Sequence, residues 1–182
     1  MLYLMLADGF EETEAIAALD VIRRGGIEVK TAAVDSLTVT GTHGVKTEAD
    51  ILAKDMDLDN TDGIILPGGM PGTLNLKNST EVIAALKHCY ESGALIAAIC
   101  AAPSVVGELG MLDSRKAVCF PGFEDSLKGA ILQTDGVVCD GNFITAKGAG
   151  VALEFGAAIV DYFADRAKAA GKEILRQMQM NV

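Results

Sequence analysis

The chain has 182 residues, of which 50% are hydrophobic, and it carries a formal net charge of −10. A chain of this length fits one domain with a sizeable core, and this composition is not that of a disordered or fibrous protein. The acidic balance and the absence of Lys/Arg clusters argue against nucleic acid and anionic membranes as partners.

Strands and helices are predicted to alternate along the chain. Residues 2–7 (LYLMLA) lack a basic leader and a cleavage site, so they predict a buried strand and not a signal peptide. Apolar residues at helical spacing predict a helix within residues 8–26, ended by Gly25 and Gly26. The later predicted elements are a strand at 27–34, short strands between 37 and 53, a strand at 62–69, a helix at 79–93, a strand at 94–100, a helix at 103–110, a strand at 116–120, a hairpin at 137–146, a helix within 150–171 and a short C-terminal helix at 168–180.

This alternation, with strands that are apolar on both faces, predicts an α/β fold. A mostly parallel central sheet would be covered by helices on both faces, in one domain across residues 1–182. Ligands of such sheets bind beyond the carboxyl ends of the strands. Three segments reach that edge, namely DGFEETE, GGMPG and CAAPS.

Cys100 ends the apolar run ALIAAIC, and a helix is predicted to begin at Pro103. Its sulfur can point at the N-terminus of that helix, where free N–H groups and the helix dipole stabilise a thiolate. Ala101 and Ala102 leave room beside it for a reactant. The same context is typical of an inert structural cysteine at the end of a core strand, so both interpretations stay open.

Glu14 lies on or near the buried face of the first predicted helix, because Ala17, Ala18 and Val21 follow it one and two turns on. A carboxyl group in such a place tends to keep its proton, which it can donate to a thiolate or shuttle. The alternative is a side chain at the edge of the helix whose carboxylate reaches solvent.

The stretch LPGGMPG has the backbone freedom of a ligand loop. Gly68, Gly69 and Gly72 allow N–H groups to approach a ligand closely, but the stretch lacks the Lys-Ser/Thr of a phosphate-binding loop. Its N–H groups could stabilise a developing oxyanion, or the stretch could be a tight turn only.

The spacing of the remaining residues predicts no metal site, and we expect no metal or other cofactor. The four cysteines match no zinc motif, and the chain lacks CxxC. His43, in a turn, and His88, in a helix, are predicted to be solvated. Activation of Cys100 therefore has to come from dipoles and neighbouring groups. In the absence of export signals, we expect reduced thiols and a cytoplasmic location.

Three segments in this order, LADGFEETEA, IILPGGMPGTLNL and LIAAICAAPSVVGELGML, resemble the ThiJ/PfpI superfamily. The branch is that of the Parkinsonism-associated protein deglycase and its bacterial relatives, and the similarity runs from Leu2 to about Val160. The resemblance implies a flavodoxin-like three-layer sandwich and a homodimer. It implies that Cys100 is the nucleophile on a strand-to-helix elbow and that Glu14 is the protonated carboxyl beside it. The other implied site residues have two roles. Oxyanion and substrate-binding N–H groups are supplied by Gly69, Ala101 and Gly68. The site is lined by Phe120 and Pro103.

This chain departs from the family pattern at three places. Several relatives carry a histidine close to the cysteine, whereas this chain has Phe120, so imidazole cannot shuttle a proton. The human-type branch has an arginine and a proline where this chain reads AKGAG, residues 146–150. Members labelled as proteases place a histidine directly after the nucleophile, where this chain has Ala101; protease activity is therefore not expected.

The activities attributed to the family are glutathione-independent glyoxalase and repair of glycated proteins, alongside oxidative-stress sensing. We therefore expect Cys100 to act on a small reactive carbonyl, such as a 2-oxoaldehyde, or on its early glycated thiol or amine adducts. The alternative is a redox sensor or chaperone-like protein in which peroxide oxidises Cys100 to the sulfinate with little or no turnover.

Overall fold

A computed structural model describes residues 1–179, and a seven-stranded sheet lies at its centre. The strands are β1 (Leu2–Leu6), β2 (Val29–Ala33), β3 (Thr38–Thr40), β4 (Lys46–Glu48), β5 (Ile51–Leu52), β6 (Gly63–Leu66), β7 (Leu95–Ile99), β8 (Lys116–Ala117), β9 (Ile131–Leu132), β10 (Val137–Asp140) and β11 (Phe143–Ala146). The helices are α1 (Glu12–Arg24), α2 (Gly72–Asn78), α3 (Thr80–Ser92), α4 (Pro103–Glu108), α5 (Ala152–Tyr162) and α6 (Gly171–Gln179).

The central sheet has the strand order β10-β11-β7-β6-β1-β2-β5. All neighbouring pairs run parallel except β10 and β11, which form an antiparallel hairpin. Strands β1, β6, β7 and β11 are buried at every residue. Such strands need helices on both faces of the sheet, and the predicted mostly parallel α/β sandwich is confirmed.

Alternate residues of β1 enter two separate cores. Leu2, Leu4 and Leu6 pack in a cluster that contains residues of α1, α5 and α6. Tyr3 and Met5 pack in a second cluster with residues of α2, α3 and α4. This period of two divides the helices into two layers around the sheet. Within the described residues, no helix is both long and apolar enough to span a bilayer.

The loops after β1 and β6 are hydrogen-bonded to each other at the carboxyl edge of the sheet. The N–H group of Glu11 donates to the carbonyl of Gly68 at 2.9 Å, and that of Gly72 donates to the carbonyl of Gly9 at 3.1 Å. The loop after β7 joins a later segment, because the Phe120 N–H donates to the Cys100 carbonyl at 2.8 Å. These backbone hydrogen bonds therefore fix the loops after β1, β6 and β7 in position at this edge of the sheet.

Two elements between β6 and β10 differ from the sequence expectation. The pattern does not predict α2, whose first turn follows Pro71 and is supported by a bond from the Thr73 N–H to the Gly69 carbonyl at 2.9 Å. The strand predicted at 116–120 is only two residues long, and β8 pairs with β9 in a small separate sheet. Neither element belongs to the central sheet.

The last two helices are shorter than predicted because tertiary bonds interrupt them. Helix α5 ends at Tyr162 and α6 begins at Gly171, not at residue 168. Between them, the Lys168 N–H donates to the Gly25 carbonyl at 2.8 Å, and the Asp161 carboxylate accepts from the Gly171 N–H at 2.7 Å. Met180, the last residue of the predicted helix, lies outside the described residues.

Helices α1 and α5 approach each other closely at Gly156, and this contact is testable. A Cβ atom there would lie 2.9 Å from the Val21 Cβ and 3.1 Å from the Ala18 Cα. We predict that Gly156→Val lowers the free energy of unfolding by roughly 1–3 kcal/mol, because the added methyl groups overpack the interface. Urea denaturation measures this difference.

The matched control is Glu154→Val, at an exposed position of the same helix. It introduces the same β-branched side chain without the close contact, and we expect it to lose no more than about 0.7 kcal/mol. Equal losses at the two positions would show that the approach of the helices does not limit the side chain at residue 156.

Candidate functional site

Cys100 occupies a sharp turn between β7 and α4. Its φ of +64° lies in the left-handed region, which residues other than glycine rarely adopt. The turn is held by a bond from the Cys100 N–H to the Ala146 carbonyl at 2.9 Å. The half-buried side chain is flanked by the buried Ala101 and Ala102. Strained backbone of this kind concentrates at functional sites, where the surrounding structure maintains it.

The helix dipole contributes less to this turn than the sequence suggests. Helix α4 has only six residues, with Pro103 buried at its first position. The Ala102 N–H already donates to the Ile99 carbonyl at 3.1 Å, and the Ser104 N–H to the Ala101 carbonyl at 3.0 Å. The Ala101 N–H is the one that acts on Cys100, since it lowers the pKa of the thiol. A single backbone donor, rather than a long helix, acts on the sulfur from this side.

Glu14 lies in the first turn of α1, and only 1% of the residue is exposed. Glu11 caps this turn, since its carboxylate accepts from the Glu14 N–H at 2.7 Å. The Glu14 carboxyl group lies beside the Cys100 side chain, and its charge raises the pKa of the thiol. Its Oε2 accepts from the Gly68 N–H at 2.9 Å, and the Ala149 N–H also bonds this carboxyl. The expectation of a solvated carboxylate at the helix edge is therefore wrong, and Glu14 faces the thiol.

Gly68 and Gly69 are close to both acidic side chains. A Cβ atom at Gly68 would lie 2.7 Å from the Cys100 Cβ and 2.7 Å from the Glu14 Oε2. Any side chain there would displace one of them. Gly69 has a φ of +93°, and its N–H group and that of Ala101 both lower the pKa of Cys100. The sulfur therefore has two backbone donors and one carboxyl neighbour.

Burial dominates the electrostatics of this pair. Loss of hydration raises the pKa of Glu14 from 4.5 to about 7, against the lowering effect of its hydrogen bonds to Cys100 and Gly68. Burial also raises the pKa of Cys100 to about 12, and the charge of Glu14 adds to this increase. The N–H groups of Ala101 and Gly69 act in the opposite direction. The sequence indicates the dipoles that stabilise a thiolate, but it does not indicate how far burial raises the pKa of Cys100.

Between about pH 7, the pKa of Glu14, and about pH 12, the pKa of Cys100, the two groups together hold one negative charge. The Cys100 pKa of about 12 includes repulsion from an ionised Glu14. When Glu14 keeps the proton, that repulsion is absent and its hydroxyl can donate to the sulfur. The order of the two pKa values places this charge mainly on the Glu14 carboxylate, and we infer that the sulfur carries enough of it to react.

Phe120 and Gly148 complete the surroundings of Glu14. The Phe120 side chain is 47% exposed. A Cβ atom at Gly148 would lie 3.3 Å from the Phe120 ring and 4.0 Å from the Glu14 Oε1. The contribution of Ala149 is missed by the sequence analysis. The only signal for it is the glycine-containing stretch KGAG, which follows β11 at the same edge of the sheet.

Within residues 1–179, one group of metal-ligating side chains is compact, namely Glu11, Glu12 and His43. The carboxylates already have partners there. Glu11 accepts from the Glu14 N–H, and Glu12 accepts from the N–H of His43 and pairs with its ring at 2.9 Å. These bonds give the cluster a structural role in fixing the loop between β3 and β4 against the start of α1.

The sequence profile of the DJ-1/PfpI family matches residues 2–162. The chain belongs to the DJ-1/PfpI family. This match confirms the resemblance drawn from the three sequence segments. In the structure, the same segments bring the cysteine, the carboxyl group and the glycine loop to one edge of the sheet.

Named relatives of this family differ in length. The chain is 37% identical to protein DJ-1 homolog B of Arabidopsis thaliana, covering 90% of this chain and 38% of that protein. It is 35% identical to glutathione-independent glyoxalase DJR-1.2 of Caenorhabditis elegans, covering 88% and 86%. It is 32% identical to deglycase TK1284 of Thermococcus kodakarensis, covering 79% and 87%. The chain thus spans about two fifths of the plant protein and most of the other two.

Solved structures of the family share this architecture. The structure titled "Toxoplasma gondii DJ-1, oxidized" superposes with a TM-score of 0.90 at 32% identity, covering 98% of this chain and 97% of that one. The flavodoxin-like DJ-1 fold expected from the resemblance is therefore confirmed over nearly the whole chain.

The raised pKa of Glu14 predicts a specific dependence of stability on pH. Between its ordinary value of 4.5 and about 7, the folded state binds more protons at Glu14 than the unfolded state does. The free energy of unfolding therefore falls as pH rises through this window, by about 3 kcal/mol for the full shift. Glu14→Gln cannot ionise, so it should lack this loss.

We expect Glu14→Gln to become more stable relative to the native protein, by about that 3 kcal/mol, between pH 4.5 and pH 8. Urea denaturation of both proteins at the two pH values measures the change. Parallel stability curves for the two proteins would mean that Glu14 titrates in the folded state as it does in water.

Proposed function

We propose that this chain is a cofactor-free, cysteine-dependent enzyme that acts on reactive 2-oxoaldehydes or their early thiol or amine adducts. The observation that supports it best is the contact between the Cys100 thiol and the buried Glu14 carboxyl, beside the N–H groups of Gly69 and Ala101. This set contains a nucleophile, an acid–base group and two donors for an oxyanion.

In the first step, the Cys100 thiolate adds to the aldehyde carbon of the substrate. One carbon–sulfur bond forms, the carbonyl bond becomes single, and the negative charge moves from sulfur to oxygen. We assign stabilisation of this oxyanion to the N–H groups of Gly69 and Ala101, which lower the pKa of Cys100. Protonation of the oxygen by the Glu14 carboxyl gives the hemithioacetal.

In the second step, Glu14 moves a proton between neighbouring carbons. Its carboxylate removes the proton from the former aldehyde carbon, which gives an enediol. Glu14 then returns the proton to the adjacent carbon, and the former aldehyde carbon becomes the carbonyl carbon of a thioester. Water then hydrolyses the thioester to a 2-hydroxy acid and frees Cys100. One water molecule is added overall, and no oxidant or reductant is needed. A carboxyl pKa of about 7 suits both transfers at neutral pH.

The names of relatives support this class of reaction. One relative is named a glutathione-independent glyoxalase and another a deglycase. Small carbonyl compounds or glycated adducts are accordingly the proposed substrates. A homodimer and a cytoplasmic location stay predictions from the sequence.

The alternative is a redox sensor, and one observation favours it as a second function. A carboxyl that keeps its proton up to about pH 7 can donate to an oxygen of a cysteine sulfinate, with the Gly69 and Ala101 N–H groups as further donors. Mild peroxide followed by mass spectrometry tests this: the sensor function requires two added oxygens on Cys100 ahead of the other three cysteines.

Turnover of methylglyoxal tests the proposed enzyme. We expect Cys100→Ser to lose activity, and Glu14→Ala to lower kcat/KM by about 10²–10⁴-fold while Cys100 stays open to alkylation. Cys139→Ser changes an exposed cysteine on β10 and is the matched control with native turnover expected. Full turnover by Glu14→Ala would remove the carboxyl from the mechanism, and full turnover by Cys100→Ser would remove the thiol.

A further inference from the structure

An apolar groove of about 440 Å³ opens beside the Cys100–Glu14 pair. One wall is the Phe120–Pro121 turn, and the other is the loop that follows β11. The lining residues are Phe120, Pro121, Lys147, Gly148, Ala149, Gly150 and Val151. Its volume lies within the range of small-molecule pockets in proteins.

Backbone and side-chain contacts fix this groove relative to the reacting groups. The Phe120 N–H is bonded to the Cys100 carbonyl at 2.8 Å, so the ring is carried by a residue tied to the elbow itself. On the other wall, Gly148 lies between the ring and the Glu14 carboxyl, and the Ala149 N–H bonds that carboxyl. The groove therefore borders both the Glu14 carboxyl and the backbone of the Cys100 elbow.

The lining offers contacts to an apolar substituent and little to a polar one. Among the described residues that line the groove, Lys147 is the single ionisable one, and its ammonium donates to the Thr134 carbonyl at 3.4 Å. Phe120 presents a ring that is 47% exposed, so part of its surface is open to a molecule in the groove. An aromatic face of this kind favours stacked or edge-on contact with another ring.

We propose that Phe120 and this groove select 2-oxoaldehydes with an aryl or bulky apolar group on the carbonyl carbon, such as phenylglyoxal, over methylglyoxal. The proposal rests on the proposed function and names its substrate class. Burial of the larger group is worth about 10-fold or more in kcat/KM, because each added apolar group in a fitting pocket contributes about 10–200-fold. Phe120 is thus a specificity-determining residue rather than a proton carrier.

Alkylation of Cys100 tests the groove without any turnover. Iodoacetamide and iodoacetanilide carry the same reacting carbon, but the second adds a phenyl ring. The rate ratio of the two reagents is measured on the Cys100 peptide by mass spectrometry and compared with the ratio for free N-acetylcysteine. We expect the ratio at Cys100 to exceed the free-thiol ratio by at least about 5-fold.

The variants locate the source of that preference. Phe120→Ala should bring the ratio down to within about 2-fold of the free thiol, and Phe120→Leu should retain part of it. Tyr90→Ala is the matched control, because Tyr90 is an aromatic residue on α3 with similar exposure, 49%, and lies outside the groove. It should leave the ratio unchanged. Val151→Ser, on the opposite wall, should lower the ratio and serves as a second test if Phe120→Ala does not fold.

Turnover then separates this proposal from the proposed function. A higher kcat/KM for phenylglyoxal than for methylglyoxal, lost in Phe120→Ala, supports selection by the groove. Equal alkylation ratios for Cys100 and N-acetylcysteine, or a ratio that rises in Phe120→Ala, overturn it while leaving the thiol chemistry intact. Failure of both reagents to label Cys100 overturns the reactive thiol and the groove proposal with it.

Discussion

The proposed chemistry of this protein depends on one constraint, the placement of the buried Glu14 carboxyl beside the Cys100 thiol. Two acidic groups share a site with too little water to support two negative charges, so ionisation of one opposes ionisation of the other. Each group has its own pair of backbone donors, from Gly68 and Ala149 on one side and from Gly69 and Ala101 on the other. The lower pKa of Glu14 places the single charge mainly on its carboxylate, and transfer of the Cys100 proton to that carboxylate gives the thiolate that the proposed reaction needs.

The rest of the fold maintains this contact. Parallel strands place their following loops at one edge, and backbone bonds between those loops fix the separation of α1 from the elbow at Cys100. The strained turn at Cys100 is held by the Ala146 carbonyl on the neighbouring strand β11. Gly68 provides the remaining condition, since a side chain at that position would separate the carboxyl from the thiol. Sheet topology, the strained turn at Cys100 and the absence of a side chain at Gly68 thus all contribute to the contact between the two groups.

Sequence patterns predict the sheet and the elbow because these depend on local signals. Apolar runs mark β1, β6 and β7, and Cys100 directly ends the last of them. The burial of Glu14 depends instead on the packing of distant segments, and spacing alone leaves it undecided. The same limit applies to Ala149, which reaches the carboxyl only through the path of the loop after β11, and to the gap between α5 and α6, which depends on bonds to Gly25 and Asp161. The sign of the thiol pKa shift also needs the structure, because burial is the largest contribution to it.

The rate of Cys100 alkylation as a function of pH tests the shared charge most directly. Iodoacetamide labelling of the Cys100 peptide is followed from pH 5 to pH 10 in the native protein and in Glu14→Gln. The account predicts a rise in the native rate through about pH 7, where the pair loses its first proton, and the absence of that step in Glu14→Gln. A native rate that is flat through pH 7 and rises only as an ordinary cysteine ionises would place the charge wholly on Glu14 and contradict the account.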